Sequence, residues 1–151
     1  YDILKASSAL PMVCKPYPIK GIPYYDGGVT DPIPVEKAFA DGCEKVVVIL
    51  TRPLSYVRTP DRDKRARRSL RRKYPKMSDA LAVHYKKYND SIEDLKRYAS
   101  EGKVLIIAPD DCCGMDTLTR DAEKIKQLYE KGYRDAAAIP EFLGLTAEET
   151  A

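Results

Sequence analysis

Two short, uninterrupted runs of apolar residues constrain the fold of this chain more than any other feature. Residues 45–51 (KVVVILT) and 103–108 (KVLIIA) are mostly β-branched or aliphatic and show no alternation with polar residues. Such runs indicate strands that are buried on both faces, as in a parallel sheet. Residues 78–100, which lie between them, place apolar side chains along one face at helical spacing. The order of strand, helix and strand predicts an α/β fold.

Turn and cap residues divide the rest of the chain into shorter elements. Lys20-Gly21, Asp41-Gly42 and Tyr74-Pro75 mark boundaries, and Gly132 is expected to stop a helix. The predicted elements are strands at 15–19 and 22–25, and helices at 1–6, 35–40, 63–73, 117–131 and 135–143. Residues 146–151 are predicted to be a frayed end.

Length and composition limit the class of protein. The chain has 151 residues, of which 44% are hydrophobic and 32% are charged, which is typical of a globular protein. No apolar run approaches the roughly 18 residues of a membrane-spanning helix, and the first residues given do not show the basic and then apolar pattern of a signal segment. Because the chain begins with Tyr1 inside a predicted helix, we expect it to be a fragment of a longer protein.

Positive charge is concentrated in residues 52–76. This segment carries 11 Lys or Arg and 2 Asp or Glu, whereas the rest of the chain carries 15 basic and 21 acidic residues. The segment is either a solvated helix or a surface for an anionic partner. Its central arginines are not interleaved with aromatic residues, as a base-stacking surface would require, so nucleic acid is not the expected partner. These arginines are Arg67, Arg68, Arg71 and Arg72.

The cysteines do not form a recognisable metal or disulfide pattern. No Cys-x-x-Cys pair occurs, and His84 is the only histidine, which we expect to have a surface or packing role. Reduced cysteines favour a cytoplasmic setting. The residues 110–113 (DDCC) are either a loop with a helix cap or a metal site, and the loop is the preferred interpretation. No bound metal is therefore expected.

A carboxylate followed by two glycines is the most informative local motif. Asp26, Gly27 and Gly28 follow a predicted strand, and glycines permit positive φ and a close backbone approach. Such a turn can direct an acidic side chain into a cleft, but Asp-Gly is also common in ordinary turns. Tyr24 and Tyr25, just before it, are expected to pack or to line the cleft.

The order of several motifs closely resembles the patatin-like phospholipases. The matching pieces are residues 6–11 (ASSALP), Pro16, residues 21–31 (GIPYYDGGVTD), Pro34 and the strand at 45–51. This resemblance covers roughly residues 7–51. Residues 74–137 are similar, less specifically, to the C-terminal extension of bacterial members, through Tyr74-Pro75, Tyr88-Asn89, Gly102-Lys103 and residues 129–133 (YEKGY).

The resemblance implies a serine acyl hydrolase that uses a Ser–Asp pair and no cofactor. Asp26 matches the family's catalytic aspartate, with Gly27 and Gly28 as supporting residues, and the substrate would be a lipid or another ester. The family's Gly-x-Ser-x-Gly motif and glycine-rich oxyanion loop do not occur in these 151 residues. They would lie in an N-terminal half that this chain lacks, so the chain alone should be inactive. Ser7 and Ser8 match scaffold positions.

The resemblance also implies a division of the chain. Residues 1–54 would end a three-layer α/β/α catalytic core, residues 55–76 would be a basic connecting segment, and residues 77–151 would form a small α/β extension. In that setting the basic segment would attract an anionic membrane surface, which makes the protein peripheral to a membrane. The alternative is a non-catalytic binding or regulatory module that acts through residues 52–76 alone.

Overall fold

The computed structural model describes residues 1–112, 114–115 and 119–145, and it has a mixed α/β fold. The predicted α/β class is therefore confirmed, and the three-layer arrangement stays a prediction. The helices are α1 (Asp2–Ser7), α2 (Val35–Ala40), α3 (Lys64–Leu70), α4 (Pro75–Ser100), α5 (Ala122–Asp135) and α6 (Ile139–Leu143). The strands are β1 (Tyr17–Ile19), β2 (Ile22–Tyr24), β3 (Val46–Ile49) and β4 (Val104–Ile107).

The chain forms two compact units that are interleaved in sequence. The first unit contains Tyr1–Pro34 and Val57–Glu93, and the second contains Val35–Tyr56 and Asp94–Ala151. The division at residues 54 and 76, which came from the family resemblance, stays a prediction. Within the described ranges, no helix combines the length and the apolar character needed to cross a membrane.

The first unit contains α1, a β-hairpin, α3 and most of α4. Strands β1 and β2 pair antiparallel, with Tyr17 opposite Tyr24. Lys20 and Gly21 connect them at positive φ (49° and 79°), the backbone that a tight two-residue hairpin needs. The predicted hairpin is thus confirmed. The core of this unit consists of Val29, Leu70 and Leu81 with partly buried neighbours Tyr25, Ala66, Tyr74, Met77 and Ala80.

The second unit contains the two strands predicted from the apolar runs. Strands β3 and β4 are parallel, with Val46 opposite Val104 and Ile49 opposite Ile107. Both were correctly placed, but burial on both faces was wrong for β3, because Ile49 is 69% exposed. Ile49 is the last residue of β3, and the three residues before it are half-buried, so the exposure is at the carboxyl end of the strand.

Three predicted helix boundaries were wrong, each for a local reason. Helix α4 begins at Pro75 and not at the predicted Ser78, because the first turn of a helix does not use the N–H that proline lacks. Helix α5 begins after Asp121, whose side chain accepts the N–H groups of Glu123 and Lys124, so residues 119–121 lie outside the helix that was predicted to include them. It continues through Gly132, whose cost of about 1 kcal/mol the helix tolerates.

The predicted C-terminal helix is split. Residues Ala136–Ala138 form a 3₁₀ turn before α6, in place of one helix over 135–143. Residues 117–118 of the predicted fifth helix and the predicted frayed end at 146–151 lie outside the described residues.

Candidate active site

Asp26 lies between β2 and a 3₁₀ turn, and hydrogen bonds from both its backbone and its side chain hold it there. Its backbone N–H donates to the carbonyl of Ala9 at 3.0 Å. Its carboxylate Oδ1 accepts the N–H of Gly28 at 2.8 Å and so caps the turn Gly27–Val29. Val29 is buried in the core of the first unit. The turn is therefore fixed on one side by the segment after α1 and on the other by the core.

The two glycines have one of the two properties expected of them. Neither Gly27 nor Gly28 has a positive φ, so the left-handed backbone that glycine permits is not used at either position. Close approach is the remaining reason at Gly28, because a Cβ there would lie 3.1 Å from Oδ1 of Asp26. At Gly27 a Cβ would lie 3.7 Å from Oγ of Ser7, which is ordinary contact.

The two carboxylate oxygens of Asp26 differ in their contacts. Asp26 is half-buried, and within the described part of the chain Oδ2 accepts no hydrogen bond. A carboxylate held through one oxygen can accept a proton on the other. Ser7 and Ser8 end α1 beside this turn, and their scaffold role stays a prediction.

The two tyrosines before Asp26 differ in environment. Tyr25 packs edge-on against Tyr74, with ring centroids 5.6 Å apart. Burial, together with Tyr74, raises the pKa of the Tyr25 phenol. Tyr24 is 43% exposed. Tyr25 is therefore a packing residue.

A buried ionic network in the same unit was not predicted from the sequence. Asp63 is 7% exposed, and its carboxylate accepts hydrogen bonds from Arg58 Nη2 at 2.8 and 3.1 Å and from Nε at 3.3 Å. His84 Nδ1 lies 3.2 Å from Oδ2 of Asp63. The Asn89 side chain holds the Arg58 backbone through two hydrogen bonds. Its Oδ1 accepts the Arg58 N–H at 2.9 Å, and its Nδ2 donates to the Arg58 carbonyl at 3.0 Å.

This network explains the only histidine of the chain. Burial would raise the pKa of the Asp63 carboxyl, but hydrogen bonds from His84 and Arg58 outweigh it and lower that pKa. His84 is thus bound to a carboxylate in a packed position. No signal in the sequence joins residues 58, 63 and 84, because an ionic contact leaves no periodic pattern.

The four arginines chosen from the basic segment are not equivalent. Arg68, Arg71 and Arg72 are exposed. Arg67 is half-buried, and its Nε is buried without a hydrogen-bond partner among the described residues. Their binding role stays a prediction, and Arg67 is the least accessible member.

The acidic loop after β4 belongs to the second unit and makes structural contacts. Asp110 pairs with Lys131 at 2.8 Å, which lowers the pKa of the Asp110 carboxyl. Cys112 Sγ lies 3.9 Å from Arg52 Nη1. Cys113 lies outside the described residues. Among the residues that the structure describes, no three His, Cys, Asp or Glu side chains gather as metal ligands.

A cavity of about 540 Å³ lies in the second unit, beyond the carboxyl ends of β3 and β4. Thr51, Arg52, Cys112, Ile125, Leu128 and Tyr129 contribute to its lining. Its mixed polar and apolar lining was not predicted. Asp26 belongs to the other unit.

Comparison with known proteins relates the two ends of the chain to different families. Residues 1–39 match the family of patatin-like phospholipases, and residues 74–143 match a domain of unknown function (DUF6363). The uncharacterized protein YjjU of Escherichia coli (strain K12) is 41% identical over 70 residues, which are 46% of this chain and 20% of that protein. The chain therefore spans about a fifth of that relative. No solved structure is significantly similar to the chain.

Proposed function

We propose that this chain is the C-terminal part of a patatin-like serine acyl hydrolase in which Asp26 is the base of a Ser–Asp pair. The substrate of the complete protein is a lipid or another carboxylic ester, and the chain alone is inactive. The observation that carries the proposal is the anchored Asp26 turn, with Oδ1 bound to Gly28 and Oδ2 free to accept a proton. The turn lies within the residues that match the patatin-like phospholipases.

The chemistry requires a serine nucleophile and a carboxylate. A serine hydroxyl attacks an ester carbonyl effectively only when a base accepts its proton. Oδ2 of Asp26 accepts this proton, and the carboxyl then protonates the leaving alcohol. In a second step Asp26 accepts a proton from the attacking water and returns it to the serine oxygen as the acyl–serine bond breaks, which releases the carboxylic acid. The bond to Gly28 keeps the carboxylate in one orientation throughout.

The serine and the oxyanion donors come from another part of the complete protein. The chain contains no Gly-x-Ser-x-Gly motif, and the relative YjjU is about five times longer than the matched segment. Helix α1 offers a surface on which a further part of the complete protein can pack, because Ile3 and Leu4 are 77% and 65% exposed. Such apolar exposure is typical of a surface that another element covers.

The test is ester hydrolysis by the complete protein, its Asp26→Asn variant and the 151-residue chain. We expect the complete protein to hydrolyse a short p-nitrophenyl ester and the chain alone to be inactive. Asp26→Asn should lower kcat by about 10²- to 10⁴-fold, because the amide cannot accept the serine proton.

Asp31→Asn is the matched control. Asp31 is an exposed carboxylate five residues after Asp26, so its replacement removes the same charge without touching the turn's cap. The control should retain full activity. Activity that survives in Asp26→Asn, or that falls equally in both variants, would mean that the turn is structural and the proposal is wrong.

A further inference from the structure

Helix α3, the turn that follows it and the first residues of α4 carry a dense group of exposed cations. We call this group the basic patch, and its members are Arg65, Arg68, Arg71, Arg72, Lys73 and Lys76. All six are exposed, and none has an acidic partner within 4.0 Å in the described part of the chain. In contrast, Arg58 and Lys64 are paired with Asp63 and Asp61. Acidic residues therefore neutralise Arg58 and Lys64, which precede the basic patch, and leave the patch itself without acidic partners.

The basic patch is held on an ordered scaffold. Ala66 and Leu70, four residues apart, pack into the core with Val29 and Leu81, so the apolar stripe of α3 faces inward. Helical hydrogen bonds continue past α3, with the N–H of Tyr74 donating to the carbonyl of Leu70 at 2.7 Å. The cations thus occupy the outward positions of one fixed segment.

From this arrangement we infer that the basic patch binds an anionic lipid surface. Six unpaired like charges within 12 residues repel one another, and an anionic partner relieves that repulsion. Binding to a bilayer needs charge alone, and each cation near such a surface contributes about fivefold in affinity. The patch acts independently of Asp26, so the inference does not rest on the proposed hydrolase function.

The surroundings of the patch favour a bilayer over single-stranded nucleic acid. Proteins that bind single strands present aromatic rings on which bases stack. Tyr74 is the aromatic residue in residues 64–76, and its ring packs against Tyr25 in the core. The segment therefore offers charge without a stacking platform.

The test is flotation of the 151-residue chain with lipid vesicles at low ionic strength. We expect binding to vesicles of phosphatidylglycerol and phosphatidylcholine in equal parts, and no binding to phosphatidylcholine alone. Replacing Arg65, Arg68, Arg71 and Arg72 together by Gln should weaken the binding by about 10²- to 10³-fold. Added salt should weaken it as well, because exposed charges are screened. These side chains are exposed, so the variant should fold, as circular dichroism will confirm.

Two control variants separate the patch from total charge and from side-chain shape. Replacement of Lys15, Lys37, Lys86 and Lys126 by Gln removes the same charge from scattered exposed positions and should leave most of the binding. Replacement of the four patch arginines by Lys should also preserve it, because a bilayer needs no bidentate geometry.

Three outcomes would overturn the inference. The first is no binding to anionic vesicles at low salt. The second is equal loss in the patch variant and the scattered-lysine control. The third is tighter binding to a single-stranded oligouridine than to vesicles at equal phosphate concentration, which would identify nucleic acid as the partner.

Discussion

At the scale of single residues, Gly28 is the position where a side chain would press against the Asp26 carboxylate. A Cβ at position 28 would lie 3.1 Å from Oδ1 of Asp26, which is closer than ordinary van der Waals contact. The N–H of Gly28 is also the donor that holds Oδ1. One residue thus supplies both the space and the hydrogen bond that orient the proposed base.

We predict that Gly28→Ala in the complete protein lowers kcat for ester hydrolysis severalfold, because the methyl group shifts the carboxylate by a few tenths of an ångström and a 1 Å misplacement can cost about 10²-fold. Gly27→Ala is the matched control, since its Cβ would meet Ser7 Oγ at 3.7 Å. The control should retain near-normal kcat. Equal activity in both variants would show that the contact at Gly28 does not matter.

Asp63 should make the stability of the first unit depend on pH. Its pKa is lowered in the folded chain, because hydrogen bonds from His84 and Arg58 outweigh burial. A carboxyl with a lowered pKa stabilises the fold above its unfolded value of about 3.9, and this stability is lost as the pH falls through the folded-state pKa.

We predict that Asp63→Asn lowers the free energy of unfolding by about 2–4 kcal/mol at pH 7, because it leaves Arg58 without its carboxylate partner. Urea unfolding, followed by circular dichroism, measures this difference. The difference should shrink as the pH is lowered below about 4. Asp61→Asn is the control, because that carboxylate is 70% exposed and pairs with Lys64; it should cost less than about 1 kcal/mol. A pH-independent difference would contradict the prediction.

At the scale of elements, helix boundaries follow from caps that the local sequence only partly reveals. Helix α5 begins at Ala122 because Asp121 Oδ1 accepts the N–H groups of Glu123 and Lys124 at 3.1 and 3.2 Å. Its C-terminal end lies at Asp135, past Gly132. The Asp121 cap therefore sets where α5 begins, whereas Gly132 does not set where it ends.

We predict that Asp121→Ala lowers the stability of the first turn of α5 by about 1 kcal/mol, the usual cost of losing an N-cap. Hydrogen exchange of the Glu123 and Lys124 amides should then accelerate about fivefold. Asp121→Asn preserves an acceptor and should leave this exchange nearly unchanged. Unchanged exchange in the alanine variant would place the start of the helix elsewhere.

At the scale of the whole molecule, each compact unit has its own buried residues, but the sheet of the second unit is small. Leu95 is fully buried there, and Val104 and Ile107 are buried on β4. Strand β3 nevertheless exposes Ile49, and its sheet has two strands among the described residues. An exposed apolar strand at a sheet edge is a site for association with another chain.

We expect the isolated chain to self-associate at high concentration and Ile49→Lys to suppress this, because a charge on an exposed strand opposes edge pairing. Sedimentation velocity over a range of concentrations measures the effect. Val83→Lys is the control, on an exposed apolar position of α4. A chain that stays monomeric at all concentrations, or equal suppression by both variants, would contradict the prediction.

Several elements could be predicted from the sequence because neighbouring residues alone decide them. The apolar runs placed β3 and β4, and Lys20-Gly21 placed the hairpin turn. Helix α2 spans Val35–Ala40 as predicted. Asp26 was also chosen from its motif, and its role stays a proposal. In each case the signal lies within about ten residues, where backbone preference and side-chain pattern act directly.

Only the tertiary structure decided which groups are joined across long stretches of chain. It pairs Arg58 and His84 with Asp63, binds Asp26 to Ala9, and separates the half-buried Arg67 from its exposed neighbours. It also decided that Gly28 serves the close approach to a carboxylate and not a positive φ. The physical reason is that hydrogen bonding and burial depend on distance in space, and the local pattern carries no record of residues that meet only when the chain folds.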